Sequence, residues 1–255
     1  MTDLTGKVAL VTGGSRGLGE FMAEALVMAG ARVYVSSRKA DVCDATADRL
    51  SAHGECLSAP ADLSRSDEIE RLATDIGARE PRLHILINNA GATWGAPLDE
   101  FPESGWDRVM DLNVKSVFFL TQKLLPGLRA AASPEDPSRI VNVGSIAGTH
   151  PGGGDAFSYK ASKAAIHHIT RMLAARLGPE NITVNAIAPG PFETKMMEFA
   201  LKEPQSRARV EQAIPLGRVG GREDIAGVGL FLCSPASAYI SGAIIPLDGG
   251  AAAAR

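Results

Sequence analysis

The sequence predicts one α/β domain, residues 1–255, built on a parallel, doubly wound sheet. Three observations carry that expectation. Short β-branched runs alternate with longer amphipathic stretches from one end to the other, the pattern of buried strands covered by crossover helices. The first run opens directly into a glycine-rich turn. No low-complexity linker or internal repeat divides the 255 residues, a length that α/β units reach as one domain.

The runs at 8–11, 32–35, 83–87, 140–143 and 182–187 are short and rich in Val and Ile, as strands buried on both faces must be. Between them, 17–30, 41–53, 64–79, 104–132 and 156–178 read as helices. Gly30 closes the first, and Asp62-Leu63-Ser64 offers an N-cap ahead of the third. The stretch 131–137, rich in Pro and charge, reads as a surface loop, and the alanines at 251–254 as a frayed tail. The apolar stretch 243–247 reads either as an edge strand or as a subunit contact.

Composition narrows the function. Hydrophobic residues are 45% of the chain and charged residues 22%, values of an ordinary soluble globular protein. A net charge of −3 argues against nucleic-acid binding, which needs a concentrated basic face. No apolar run approaches the ~20 residues that span a bilayer, and the N-terminus lacks the regions of a secretory signal. Cys43, Cys56 and Cys233 are odd in number and widely spaced, so neither a disulfide framework nor a metal pair is expected. These features predict a cytoplasmic, reduced protein. His53, His84, His150, His167 and His168 share no ligand spacing, so no metal site is expected; they read as surface or helix residues, with His150 alone near enough to Ser145 to reach a pocket.

Immediately after the first strand comes Thr12-Gly13-Gly14-Ser15-Arg16-Gly17-Leu18-Gly19. Such a turn lets the backbone approach a pyrophosphate, whose charge the free N–H groups at the following helix start stabilise. The competing reading is a tight turn with no ligand. At the end of the second strand, an NAD enzyme usually carries an acid for the ribose 2′-hydroxyl. Here Ser36-Ser37-Arg38-Lys39 stands instead, with no acid before Asp41. Arg38 and Arg16 offer forked cationic donors suited to a 2′-phosphate. NADP(H) is therefore the expected cofactor.

Tyr159 and Lys163 are four apart, so on a helix they share one face. A phenol with an ordinary pKa of ~10 is a poor acid–base group near neutrality; a neighbouring ammonium lowers that value by stabilising the phenolate. Ser145, just past a strand end, can hydrogen-bond a carbonyl oxygen where negative charge builds. Ligands of open α/β sheets sit at that edge.

Asn88-Asn89-Ala90-Gly91, Ser145, and Tyr159 and Lys163 within Ser158-Tyr159-Lys160-Ala161-Ser162-Lys163, together with the glycine-rich turn, resemble the short-chain dehydrogenase/reductase family across about residues 6–250. More narrowly, 88–97 and Gly105-Trp106 look like β-ketoacyl reductases of the rhamnolipid-associated type. The resemblance implies a Rossmann-like fold and an active oxidoreductase. It implies that Tyr159 is the general acid in reduction, that Lys163 binds the nicotinamide ribose and tunes the tyrosine, and that Ser145 polarises the carbonyl. Asn113 matches the helix asparagine that holds a relay water. Asp62 and Leu63 fall beside the adenine. Asn89, Ala90 and Gly91 line the adenosine side, with Asn88 bracing the sheet. Pro189, Gly190, Phe192 and Thr194 match the loop that contacts the carboxamide and pyrophosphate. A homotetramer packed through 104–132 and 156–178 is implied as well.

The segment from about 193 to 215 is expected to form a substrate lid. Its Met196, Met197, Phe199 and Leu201 suit an adaptable apolar wall; they suit the buried side of an amphipathic helix equally. Trp94 is a second rim candidate, or else packing or a contact between subunits. An apolar pocket fits a 3-oxoacyl thioester, carried by CoA or by an acyl carrier protein. An acidic carrier calls for a basic patch, to which Arg129 and Arg171 are the candidates, while Glu180 departs from the basic pattern expected ahead of the sixth strand. Two alternatives stand beside this reading: a dehydrogenase of a sugar acid, polyol or secondary alcohol, and an NADP-sensing binding protein.

Overall fold

The computed structural model describes residues 2–150 and 152–254, apart from the side chain of Phe199. Seven parallel strands form one sheet: β1 (Val8–Thr12), β2 (Arg32–Ser36), β3 (Cys56–Ser58), β4 (Ile85–Asn88), β5 (Ser138–Val143), β6 (Ile182–Pro189) and β7 (Ile244–Leu247). Their order is β3-β2-β1-β4-β5-β6-β7, the doubly wound sheet the alternating pattern predicts. Alternation along β1 shows how it is buried. Ala9 and Val11 face a core with α1 (Gly17–Met28), α2 (Ala40–Leu50) and α9 (Arg222–Cys233). Val8 and Leu10 face another with α3 (Ser66–Arg79), α5 (Ser116–Ala131) and α6 (Phe157–Leu177). Fully burying a side chain such as Leu10 or Val11 contributes about 1.5–3 kcal/mol.

Several boundaries differ from expectation, each for a local reason. β3 is three residues long and, among the described residues, pairs with β2 alone, too short to produce a pattern. The 243–247 stretch is the edge strand β7, paired with β6. Asp62 does not cap α3: its Oδ1 accepts from Ser64 N at 3.1 Å and Ser64 Oγ at 2.7 Å, closing a separate turn before the helix. The helix expected over 104–132 is α4 (Glu103–Met110) and α5, joined by a π-helical turn at Asp111–Lys115. The alanines after Gly250 are not frayed. Asp248 Oδ2 accepts from Ala252 N at 2.7 Å, and Ala251 is buried. Nor is 131–137 merely solvated: Asp136 pairs with Lys7 and with the buried Arg139.

Candidate active site

Strand order reverses between β1 and β4, so the crevice at their carboxyl ends is the switch point where open sheets bind ligands. The glycine-rich turn and the 88–91 segment meet there. Thr12 Oγ1 accepts from Asn89 N at 3.0 Å and Ala90 N at 3.1 Å. Asn89 Nδ2 donates to Thr12 O and Gly13 O, both at 3.0 Å, so Asn89 braces the turn. A Cβ on Gly19 would stand 2.3 Å from Asn89 Nδ2 and 2.4 Å from Gly13 O. Gly13, at φ +61°, is barred to a side chain by conformation as well. Arg16 is the N-cap of α1 and makes no side-chain cap, leaving the first N–H groups of the helix free for an anion.

The neighbouring ground also fits a phosphorylated ribose. Ser36 Oγ is buried with no hydrogen-bond partner among the described residues. Arg38 and Arg16 are exposed, and neither guanidinium is in an ion pair among the described residues. Ser15 turns its carbonyl to Thr46 Oγ1 at 3.2 Å. Leu18 packs against the core. Leu63 and Phe192 are buried in the core, so each has only backbone to offer a ligand. Gly190 donates from its backbone to Leu247 O at 2.9 Å, which leaves Pro189 at the end of β6. Thr194 faces Gly17, whose Cβ would lie 3.5 Å from Thr194 Cγ2; the loop after β6 thus closes on the glycine-rich turn.

The groups suited to acid–base work converge beside this cradle. Asn88 spans the sheet, donating to Asn142 Oδ1 at 2.9 Å and Thr121 Oγ1 at 3.3 Å. Asn113, at the centre of the π-helical turn, exchanges hydrogen bonds with the Ala92 backbone at 2.8 and 2.9 Å and donates to Ser162 Oγ at 2.9 Å. It therefore ties the loop after β4 to α6. Lys163 Nζ is buried, donates to Val143 O at 2.7 Å and lies 5.6 Å from the centre of the Tyr159 ring. Ser145 starts a short turn in which its Oγ accepts from Ala147 N at 3.2 Å. Gly91 faces this cluster: its Cβ would meet Asn113 Oδ1 at 3.3 Å and Lys163 Nζ at 3.8 Å.

Burial sets the titration of the pair. The Lys163 ammonium is pushed down to about 8 by desolvation. The Tyr159 phenol is held above its ordinary value by burial, opposed by its hydrogen bond with Ser145. In the chain alone burial prevails, so the phenol stays above its ordinary value with the Lys163 ammonium beside it.

The profile described as enoyl-(acyl carrier protein) reductase matches residues 13–252. The chain is 49% identical to the rhamnolipids biosynthesis 3-oxoacyl-[acyl-carrier-protein] reductase of Pseudomonas aeruginosa, over 97% of each chain. The chain belongs to the short-chain dehydrogenase/reductase family. Among solved structures, it superimposes on the Pseudomonas aeruginosa RhlG/NADP active-site complex with a TM-score of 0.96, 48% identity and 98% of each chain covered. A gluconate 5-dehydrogenase from Burkholderia cenocepacia, in complex with NADP and tartrate, gives 0.91 at 28% identity, with 99% of this chain and 97% of that one covered.

Other expectations for this short-chain dehydrogenase/reductase fare unevenly. The 193–215 segment folds as a 3-10 turn (Lys195–Met197), α7 (Glu198–Leu201) and α8 (Pro204–Gln212). Leu201 and Met197 pack with Ile214, Val219 and Ala251 against Ile146, next to Ser145, whereas Met196 is exposed. The side chain of Phe199 lies outside the described residues. Trp94 packs on its neighbours: its ring lies on Gly105, where a Cβ would be 2.6 Å away, and the Arg108 guanidinium stands over it, 5.7 Å from its centre. Arg129 is occupied by Glu180 at 2.5 and 3.3 Å, so it offers no free charge to a carrier protein. Arg171 has no carboxylate partner among the described residues.

Two residues escaped sequence reasoning. Lys160 donates to Gly153 O at 2.9 Å and Gly154 O at 2.8 Å, pinning the glycine loop ahead of α6. His167 is buried four residues beyond Lys163. The spacing 159, 163, 167 was the available signal for it.

Proposed function

We propose that this enzyme reduces a 3-oxoacyl thioester to the 3-hydroxyacyl thioester with NADPH. The observation that carries the reading is the convergence of Ser145, Tyr159 and Lys163 beside a glycine cradle flanked by two unpaired arginines. The relatives supply the substrate class: the one sharing 49% of residues is named for 3-oxoacyl-[acyl-carrier-protein] reduction, and the structure that superimposes with a TM-score of 0.96 is a complex with NADP.

The residues then divide the work. NADPH, when bound, supplies the hydride to the carbonyl carbon. Gly13, Gly17, Gly19 and the α1 N-terminus hold its pyrophosphate, with Arg16 and Arg38 on the 2′-phosphate. Asp62, Leu63, Asn89, Ala90 and Gly91 border the adenosine, while the 189–194 loop holds the carboxamide end. Ser145 donates a hydrogen bond to the substrate oxygen as negative charge builds there. Tyr159 transfers the phenolic proton to that oxygen, giving the alcohol and leaving a phenolate. Lys163 holds the phenolate charge, and Asn113 keeps α6 and the 92 loop in register for proton return. Residues 193–215 act as the substrate lid, latched by Arg207 to Glu193 at 2.9 Å.

Phe118, Phe119 and Met172 expose 41%, 40% and 58% of their surfaces on α5 and α6. Large apolar side chains left exposed on these two helices favour burial between subunits, and we infer a homotetramer. Three free, buried cysteines suit a reducing cytoplasm.

A second reading, oxidation of a sugar acid, rests on the gluconate 5-dehydrogenase likeness. The deciding assay mixes enzyme with NADPH or NADH and a 3-oxoacyl thioester, on CoA and on acyl carrier protein, with gluconate and NADP+ in parallel. Rapid loss of NADPH absorbance with the thioester is expected. Turnover of gluconate alone would replace the reading. Faster turnover with NADH would overturn the cofactor assignment, and binding without turnover on any substrate would favour a sensor.

A further inference from the structure

Helix α6 presents Tyr159, Lys163 and His167 at intervals of four, on one face. The first two belong to the reaction; the mechanism above gives the third nothing to do. Yet His167 is only 5% exposed, and its ring is wedged beneath the turn that carries Ser145. A Cβ on Gly144 would stand 2.3 Å from His167 Nε2 and 2.8 Å from Cδ2. Gly144 is meanwhile held to β6, its N donating to Ile187 O at 2.7 Å. At the far end of the turn, Thr149 Oγ1 lies 3.4 Å from His167 Nδ1. Between these contacts Gly148 lies flat on α6, where a Cβ would be 2.6 Å from the Lys163 carbonyl carbon. One imidazole therefore touches both ends of the 145–149 turn, whose internal bond from Ala147 N orients the Ser145 hydroxyl.

We propose that His167 is a positioning residue: by clamping Gly144 and Thr149 it holds the Ser145 hydroxyl toward Tyr159 and the substrate oxygen. The proposal rests on Ser145 polarising the carbonyl. The ring works in its neutral form. Desolvation pushes its pKa down to about 4, and Lys163 and Arg171 of its own helix push the same way; the turn above presents only the Thr149 hydroxyl to its Nδ1. Nε2 is buried against Gly144 without a partner among the described residues, so the directional contact is the one at Nδ1. Leucine of similar bulk would still pack on Gly144 and would release Thr149. Asparagine would keep a polar atom where Nδ1 stands.

The test compares full-length H167L, H167N, S145A and S145A/H167L, reading kcat and KM with NADPH and a 3-oxoacyl thioester, and NADPH affinity by fluorescence. A misplaced polarising group costs rate steeply, so H167L should lower kcat about tenfold with NADPH affinity unchanged. H167N should recover most of that loss. In the S145A background, H167L should remove nothing further, because residues that act as a unit are not additive. T149V breaks the same contact from the exposed side of the turn and should lower kcat likewise, whether or not H167L folds. Parental kcat in H167L and T149V, or an H167L loss of equal size with and without Ser145, would overturn the proposal. A loss explained wholly by weaker NADPH binding would also overturn it. Full activity in S145A would remove the Ser145 role itself, and the clamp's purpose with it.

Discussion

Replacing Arg38 by glutamine should weaken NADPH specifically. Arg38 lies two residues beyond β2, exposed and outside any ion pair among the described residues. Its removal therefore leaves no protein carboxylate unpaired, and the loss falls on the ligand contact alone. A hydrogen bond to a charged group is worth about 1.5–3 kcal/mol, and exposure places this one toward the lower figure. Since 1.36 kcal/mol is tenfold, the KM for NADPH should rise by about one order of magnitude. NADH, which lacks the 2′-phosphate, should be used with unchanged efficiency. Initial rates with both cofactors at fixed ionic strength measure this directly, and added salt should raise the parent's NADPH KM more than that of R38Q. R16Q should act in the same direction. Equal losses with NADPH and NADH would mean general damage; an unchanged NADPH KM would refute the assignment of a 2′-phosphate to this arginine.

Four further outcomes are expected. Tyr159→Phe should cut turnover by about 10²–10⁴-fold while sparing NADPH binding, read by fluorescence titration; a loss of binding would place the phenol in the cofactor cradle instead. Lys163, held near 8 by burial, is charged below that pH and neutral above it, so the reduction rate should fall as pH rises through 8, a limb that should vanish in a Lys163→Met enzyme. His84 and His167 are both pushed from 6.5 down to about 4 by burial. The folded protein refuses protons that the unfolded chain accepts, so stability is full above pH 6.5 and lost as pH falls toward 4, by about 3 kcal/mol per histidine; urea midpoints at pH 7 and 4.5 should differ, and a flat profile would contradict this. Gly19→Ala drives a Cβ to 2.4 Å from Gly13 O, so both the melting temperature and NADPH affinity should drop.

Much of the fold was legible because it is written between near neighbours. The β-branched runs that became β1, β2, β4, β5 and β6 each carry their own evidence of burial. The glycine turn and the Tyr159–Lys163 spacing do likewise. β3 was not legible, since three residues cannot establish a period. The cap assigned to Asp62 failed because Ser64 competes for the same oxygen. The 131–137 stretch looked solvated until Arg139, buried on β5, drew Asp136 inward.

By itself, the sequence determined the sheet class, the glycine-rich turn after β1, the missing acid after β2 and the three groups proposed for the chemistry. These depend on residue type and local spacing. Only the tertiary structure decided that Arg129 is spent on Glu180, that burial holds the Tyr159 phenol above its ordinary value while the Lys163 ammonium rests on Val143 O, and that His167 closes on both ends of the serine turn. Those outcomes join residues from different elements. They depend on which groups burial brings within hydrogen-bond reach and on how much water it takes from them, neither of which chain order records.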